Sequence, residues 1–341
     1  MKTGLFPGPG GKGDFKKYPV WDQRYVYDGW VEPFVSAGHQ VHRYLAHGLI
    51  KRAFVSDIDP KVKATWFCWR SPELREIVAN RINGVSPRLL IDPIGLYEEM
   101  KAVVDSGTQS PIELSVASLI CRYFVFGNTL RSNRKGKLNV CASKDKTQSL
   151  QKKAGKTNDY PQLEPGFLED LNQGWRFEWP WFGDDWNVSF SNSWQQCLDA
   201  FESSNCQNAI AFVDTPYWLP PKSRPGRRGT GALTPAYTHH GNPQGQETFD
   251  LFINCIDRLL DNPRVGRVVA TNYISDELCF EVARLLDKRK REWWFTPLGT
   301  LATMNNGSHR DDCPIEGFWE FGGRRMAGRY DQLSLLEAAA A

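Results

Sequence analysis

No apolar stretch in this 341-residue chain approaches the ~20 residues that span a bilayer, since runs such as Ala209 to Val213 break after a few positions. The N-terminus has no continuous apolar core of the kind a signal peptide needs, so a soluble, cytoplasmic protein with no membrane partner is expected. The eight cysteines, Cys68, Cys121, Cys141, Cys197, Cys206, Cys255, Cys279 and Cys313, include no Cys-x-x-Cys pair. No histidine stands at a spacing that completes a metal site, so neither a disulfide framework nor a bound metal is expected. A net charge of only +3 is too small to identify a partner. Its distribution says more: basic residues cluster at Arg131 to Lys137, Lys144 to Lys156, Lys222 to Arg228 and Lys288 to Arg291, either as polyanion contacts or as solvated loops.

What is present fits a folded globular protein: 41% hydrophobic and 24% charged residues, with 13 tryptophans. The length exceeds the usual ~100–150 residues of one domain, which predicts a large domain with an insert, or two domains. Trp30 to Phe34 and Ala53 to Ile58 read as strands of a buried parallel sheet, joined by a helix through Ala37, Val41, Tyr44 and Leu45. Ser71-Pro72 starts a helix, and Pro111 to Phe126 is a strong helix candidate before a polar, basic tract. Alternation resumes near Val188. A helix through Trp194 and Phe201, a strand Ala209 to Val213, an amphipathic helix from Phe249 to Leu260 and a strand Arg267 to Thr271 follow. Ser275 caps a further helix, and Trp293 to Leu298 with Gly317 to Phe321 form a closing antiparallel pair. The fold class is α/β with an insert, and no internal repeat is visible.

The segment richest in chemistry is Asp214-Thr215-Pro216-Tyr217, directly after an apolar strand, where ligand sites of open α/β sheets lie. An exocyclic aromatic amine is a poor nucleophile because its lone pair is delocalised into the ring. Two acceptors on its N–H groups, the Asp214 carboxylate and the Thr215 carbonyl, draw the nitrogen toward a pyramidal, nucleophilic geometry. Pro216 biases Thr215 toward an extended backbone, and Tyr217 offers a flat face for a flipped base.

This tetrapeptide resembles the Asp-Pro-Pro-Tyr motif of S-adenosylmethionine-dependent amino-methyltransferases, and further segments match in order. Gly8-Pro9-Gly10-Gly11-Lys12 is similar to the Trp-x-Gly-Gly-Lys cofactor segment of Dam-type DNA adenine-N6 methyltransferases. Glu32-Pro33-Phe34-Val35-Ser36-Ala37-Gly38 resembles their Glu-Pro-Phe-x-Gly-x-Gly turn, and Asp57-Ile58-Asp59-Pro60 their Asp-x-Asn-Pro segment. Arg122 to Val140, with Gly127-Asn128, Arg131, Asn133 and Lys135-Gly136, is similar to their Phe-Asn-Gly…Arg…Asn…Lys-Gly-x-Phe-Asn-Val block. The matches run from residue 6 to about residue 321.

The resemblance implies a Rossmann-like methyltransferase fold with an inserted target-recognition region. Residues 1–70 are then the cofactor-binding part, 71–185 the insert, 186–325 the part with the catalytic motif, and 326–341 a tail. It implies methyl transfer from S-adenosylmethionine to adenine N6 in double-stranded DNA by a protein that can act as a monomer. Asp214, Thr215, Pro216 and Tyr217 carry catalysis. Gly8, Pro9, Gly11, Lys12, Glu32, Phe34, Gly38, Asp57, Phe190 and Asp214 line the cofactor. Asp57 accepts ribose hydroxyls or caps a helix, and Phe190 flanks the cofactor adenine or belongs to the core. Asn128, Arg131, Asn133, Arg134, Lys135 and Lys137 hold DNA, with Arg227 and Arg228 in a second clamp.

Gly8, Ser36, Asp59 and Thr215 depart from the family pattern, replacing an aromatic, a glycine, an asparagine and a proline. Two other readings follow: a methyltransferase for RNA or an amide such as glutamine, and a catalytically silent DNA-binding subunit.

Overall fold

The strand Gly-Trp-Val-Glu is buried at every residue and forms β1 (Gly29–Glu32), an interior strand of a seven-stranded sheet. This is seen in a computed structural model describing residues 4–6, 26–107, 110–124, 130, 137–138, 165–180, 182–183, 185–216, 246–273, 275–289, 292–300 and 315–322. β1 pairs in parallel with β2 (Arg52–Ser56) on one side and β4 (Ala209–Val213) on the other. β3 (Asn187–Ser191) extends the sheet beyond β2, and β5 (Val265–Tyr273) extends it beyond β4, both in parallel. β7 (Ile315–Phe321) lies antiparallel between β5 and β6 (Trp293–Thr300), giving the order β3-β2-β1-β4-β5-β7-β6. The expected closing antiparallel pair is therefore present, with β7 inside the sheet and β6 outside it. Successive strands run outward from β1 in one direction to β3, then restart at β4 on the other side. The gap between the carboxyl ends of β1 and β4 is the switch point at which open α/β sheets bind ligands.

Alternation along β4 divides the core. Ile210 and Phe212 face one layer, whereas Ala209, Ala211 and Val213 face the other. The first layer contains α1 (His39–Ala46), α2 (Pro60–Trp69), α3 (Pro72–Val85), α4 (Arg88–Ile91), α5 (Pro93–Ser106) and α6 (Pro111–Arg122). The second contains α8 (Trp194–Glu202), α9 (Gln246–Asp261) and α10 (Asp276–Arg289). Between them in sequence lies α7 (Pro165–Asn172).

Local chemistry sets the helix starts. Asp59 caps α2 by accepting from the Lys61 N–H, and Ser71 caps α3 through Leu74, each followed by a proline in the first turn. Ser110 and Glu113 form a reciprocal capping box at α6, which ends at Arg122, short of the Phe126 expected from periodicity. α3 and α6 pack on α2, α5 packs on α6, and their apolar side chains join Trp30, Ala53 and Val55 in one continuous core. The tryptophan-rich stretch is tied to this layer: Asn83 exchanges two hydrogen bonds with the Phe177 backbone, at 3.2 and 2.8 Å, and the Trp179 indole donates to the Arg75 carbonyl.

Among the described residues no helix is long and apolar enough to cross a membrane, and no group of three His, Cys, Asp or Glu side chains is placed to hold a metal ion.

Candidate active site

β1 ends at Glu32, which is 3% exposed and accepts a 2.8 Å hydrogen bond from the Trp30 indole. Burial first, and the nearby Asp214 charge next, hold its carboxyl well above the usual range, against the lowering effect of Trp30 and the Val41 backbone. Beyond Glu32 the chain turns sharply into α1. Val35 donates its N–H to the Ser56 carbonyl at 2.9 Å, and the Ser56 hydroxyl donates to the Pro33 carbonyl at 2.7 Å. Ser36 takes φ 47°, the one described non-glycine residue in the left-handed region. Gly38 follows at φ 66°, where a Cβ would lie 2.4 Å from the Trp66 ring.

Asp57, at the end of β2, braces this turn. One carboxylate oxygen accepts from the Ser36 N–H at 2.9 Å and the other from the Asp59 N–H at 2.8 Å. From the opposite side the Trp66 indole donates to the Ser36 carbonyl at 2.8 Å. Burial, then the Asp59 charge, raise the Asp57 carboxyl to about 6 despite the two amide donors and Lys61. Of the roles considered for Asp57, the helix cap goes to Asp59, which also pairs with the buried Lys61 ammonium at 2.9 Å. On the amino-terminal side, Leu5 donates its N–H to the Ala37 carbonyl at 2.8 Å, and the Phe6 ring lies 3.7 Å from the Arg122 guanidinium carbon. Burial lowers Arg122 to about 10, with the Asp59 charge opposing.

Asp214 and Thr215 leave the end of β4 next to the end of β5. The Thr271 hydroxyl donates to Asp214 Oδ1 at 2.6 Å, and the Asn272 amide donates to Thr215 Oγ1 at 3.2 Å. Thr215 is 2% exposed, and Thr271 and Asn272 are fully buried. Neither Thr271 nor Asn272 was expected from sequence. Both follow the buried run Val268 to Ala270, and the parallel register, with Val213 opposite Ala270, sets Thr271 beside Asp214.

Phe190, on β3, stacks on Trp66 at 6.0 Å with planes inclined 27°, and the Arg70 guanidinium lies 6.0 Å from its ring centre. It is only partly buried, as is Phe34, which packs against the second layer. The ends of β1, β2 and β4 thus bring Glu32, Gly38, Asp57, Asp214, Thr215 and Pro216 to one edge of the sheet. Lys137 sits elsewhere, beside Glu98, Lys101 and Asp105 at a 370 Å³ cavity against α5, next to Leu138, whose N–H donates to Asp105. Gly8, Pro9, Gly11, Lys12, Tyr217, Asn128, Arg131, Asn133, Arg134, Lys135, Arg227 and Arg228 lie outside the described residues.

Fold and site define an α/β protein with a mostly parallel sheet and a carboxylate cluster at its switch point. Compared with known proteins, the chain matches no family model and no curated protein.

Proposed function

We propose that the protein is an S-adenosylmethionine-dependent methyltransferase of Rossmann-like fold that acts on adenine N6 in DNA. The observation that carries this reading is the position of Asp214 and Thr215 at the end of β4, across the switch point from Glu32 and its turn, with Asp57 at the end of the next strand. The chemistry of this set fits the donor. Asp57 and Glu32 are oxygen acceptors for ribose hydroxyls and the cationic amino-acid end. When bound, the donor supplies an electrophilic methyl on a sulfonium.

The residues of the chain have the remaining tasks. Asp214 accepts one N–H of the adenine amine and the Thr215 carbonyl the other, so the nitrogen lone pair is turned out of conjugation and toward the methyl. Pro216 restrains Thr215 so that this carbonyl keeps its direction. Glu32 and Asp57 hold the donor in place, because an in-line transfer is mainly a matter of positioning. As the new N–C bond forms, the S–CH3 bond would break to leave a neutral thioether, and the amine proton would leave toward Asp214. DNA as the substrate rests on the sequence resemblance and the basic clusters.

The test is transfer of label from methyl-labelled S-adenosylmethionine to duplex DNA. Asp214→Ala is expected to lose at least about a hundredfold in kcat, the size of effect seen when a key polar group on the reacting centre is removed. Equal labelling by the variant removes Asp214 from the mechanism.

A further inference from the structure

We infer that Thr271 and Asn272 on β5 are the positioning pair for the catalytic segment, an assignment that rests on the methyltransferase reading above. β4 and β5 run parallel, with Val213 opposite Ala270 as the last paired residues. One step further out, Asp214 meets Thr271 and Thr215 meets Asn272, each through a side-chain hydrogen bond. Two consecutive residues of one strand end therefore grip two consecutive residues of its neighbour.

The two bonds have different consequences. A hydroxyl-to-carboxylate hydrogen bond of 2.6 Å is in the charge-assisted range. It fixes the carboxylate rotamer and favours the ionised form, because the donor binds the anion better than the acid. That matters because Glu32 on β1 faces Asp214 with a carboxyl of the same sign when ionised. A protonated Asp214 cannot accept from the amine with the same oxygen. Thr271 is β-branched and fully buried, so its χ1 is stiff and its hydroxyl does not wander.

Asn272 acts on the backbone. Position 215 is a proline in the motif that this segment resembles, and a proline ring holds φ by itself. Threonine does not. Here burial of Thr215 and the Asn272 bond to its hydroxyl hold the residue, so that the carbonyl beyond it has one direction. Thr271 and Asn272 bond to Asp214 and Thr215, which makes them positioning residues.

The experiment compares wild type with Thr271→Val, which keeps shape and loses the hydroxyl, and Thr271→Ser, which keeps the hydroxyl. Two readouts are taken. The first is the Asp214 carboxyl titration in the protein alone, followed by ¹³C NMR and assigned with Asp214→Asn. The second is methyl transfer to duplex DNA as a function of pH. Thr271→Val should raise the Asp214 midpoint by about one pH unit, and with it the acid limb of kcat, and lower kcat about tenfold with the KM for donor within twofold; Thr271→Ser should behave as wild type. Asn272→Ala should lower kcat and leave the Asp214 midpoint in place. An unmoved midpoint in Thr271→Val, or a Thr271→Ser as impaired as Thr271→Val, overturns the assignment even in an active enzyme. A midpoint moved by Thr271→Val beside a wild type that transfers no methyl overturns the methyltransferase reading instead, and the catalytic role with it.

Discussion

Ser36 occupies a conformation that costs an L-residue with a side chain roughly 1–2 kcal/mol, and three contacts hold it there: Asp57 on its N–H, Trp66 on its carbonyl, and the Gly38 N–H closing the turn on Val35. Replacing it with glycine removes the strain and leaves both backbone bonds. Ser36→Gly is therefore expected to gain about 0.5–1 kcal/mol in urea unfolding, and a loss of stability would mean that the serine side chain makes a compensating contact. Glu32 and Asp57 carry a related cost. Both folded carboxyls titrate above their unfolded values, so the native state keeps protons that the unfolded chain has already released. Stability consequently falls as pH rises from about 4 through 6 for Asp57, and the Glu32 contribution extends the fall to higher pH. Glu32→Gln keeps an oxygen for the Trp30 indole and removes the charge. It should be more stable than wild type at pH 8, with the gain disappearing near pH 4 and the catalytic competence reduced, as expected where a site is held at the expense of stability. Unfolding midpoints at the two pH values decide this, and an equal difference at both would remove the ionisation argument.

At the scale of elements, β5 has two jobs at its two ends. Its carboxyl end grips Asp214 and Thr215. Near its start Arg267 forms an ion pair with Glu320 of β7, both fully buried, across the antiparallel junction. Glu320→Ala leaves a guanidinium buried without its counter-charge and should cost about 3–5 kcal/mol, measured by thermal or denaturant unfolding; a change below about 1 kcal/mol would show that the junction relaxes to admit water. The strands themselves were legible because apolar runs such as Ala209 to Val213 have no other stable place than a sheet buried on both faces. Helix starts were equally legible at Ser71 and Ser275, where a hydroxyl accepts from an N–H three residues on. Thr271 was not legible as a partner of Asp214, since the two are 57 positions apart and only the strand register joins them. Nor was the continuity of residues 72–122 with the main core, which depends on which helix faces meet and not on any one helix's pattern.

For the molecule as a whole, the order β3-β2-β1-β4-β5 makes one edge of the sheet a meeting place for residues from distant segments. Glu32, Asp57 and Asp214 come from the ends of three strands, and the sequence order of the motifs becomes spatial proximity only through that topology. The place of Asp57 at the end of β2 was legible; its part in holding the Ser36 turn was not, because the turn geometry is set by Trp66 and Asp57 together. The central claim is that this edge methylates an adenine amine. Its most direct test is to incubate duplex DNA with the protein and methyl-labelled S-adenosylmethionine, digest the product to nucleosides and identify the labelled one. The account predicts label in N6-methyladenine with wild type, formed at least about a hundredfold more slowly with Asp214→Ala. Label in another nucleoside, or none with a wild type shown to bind both donor and DNA, would contradict it.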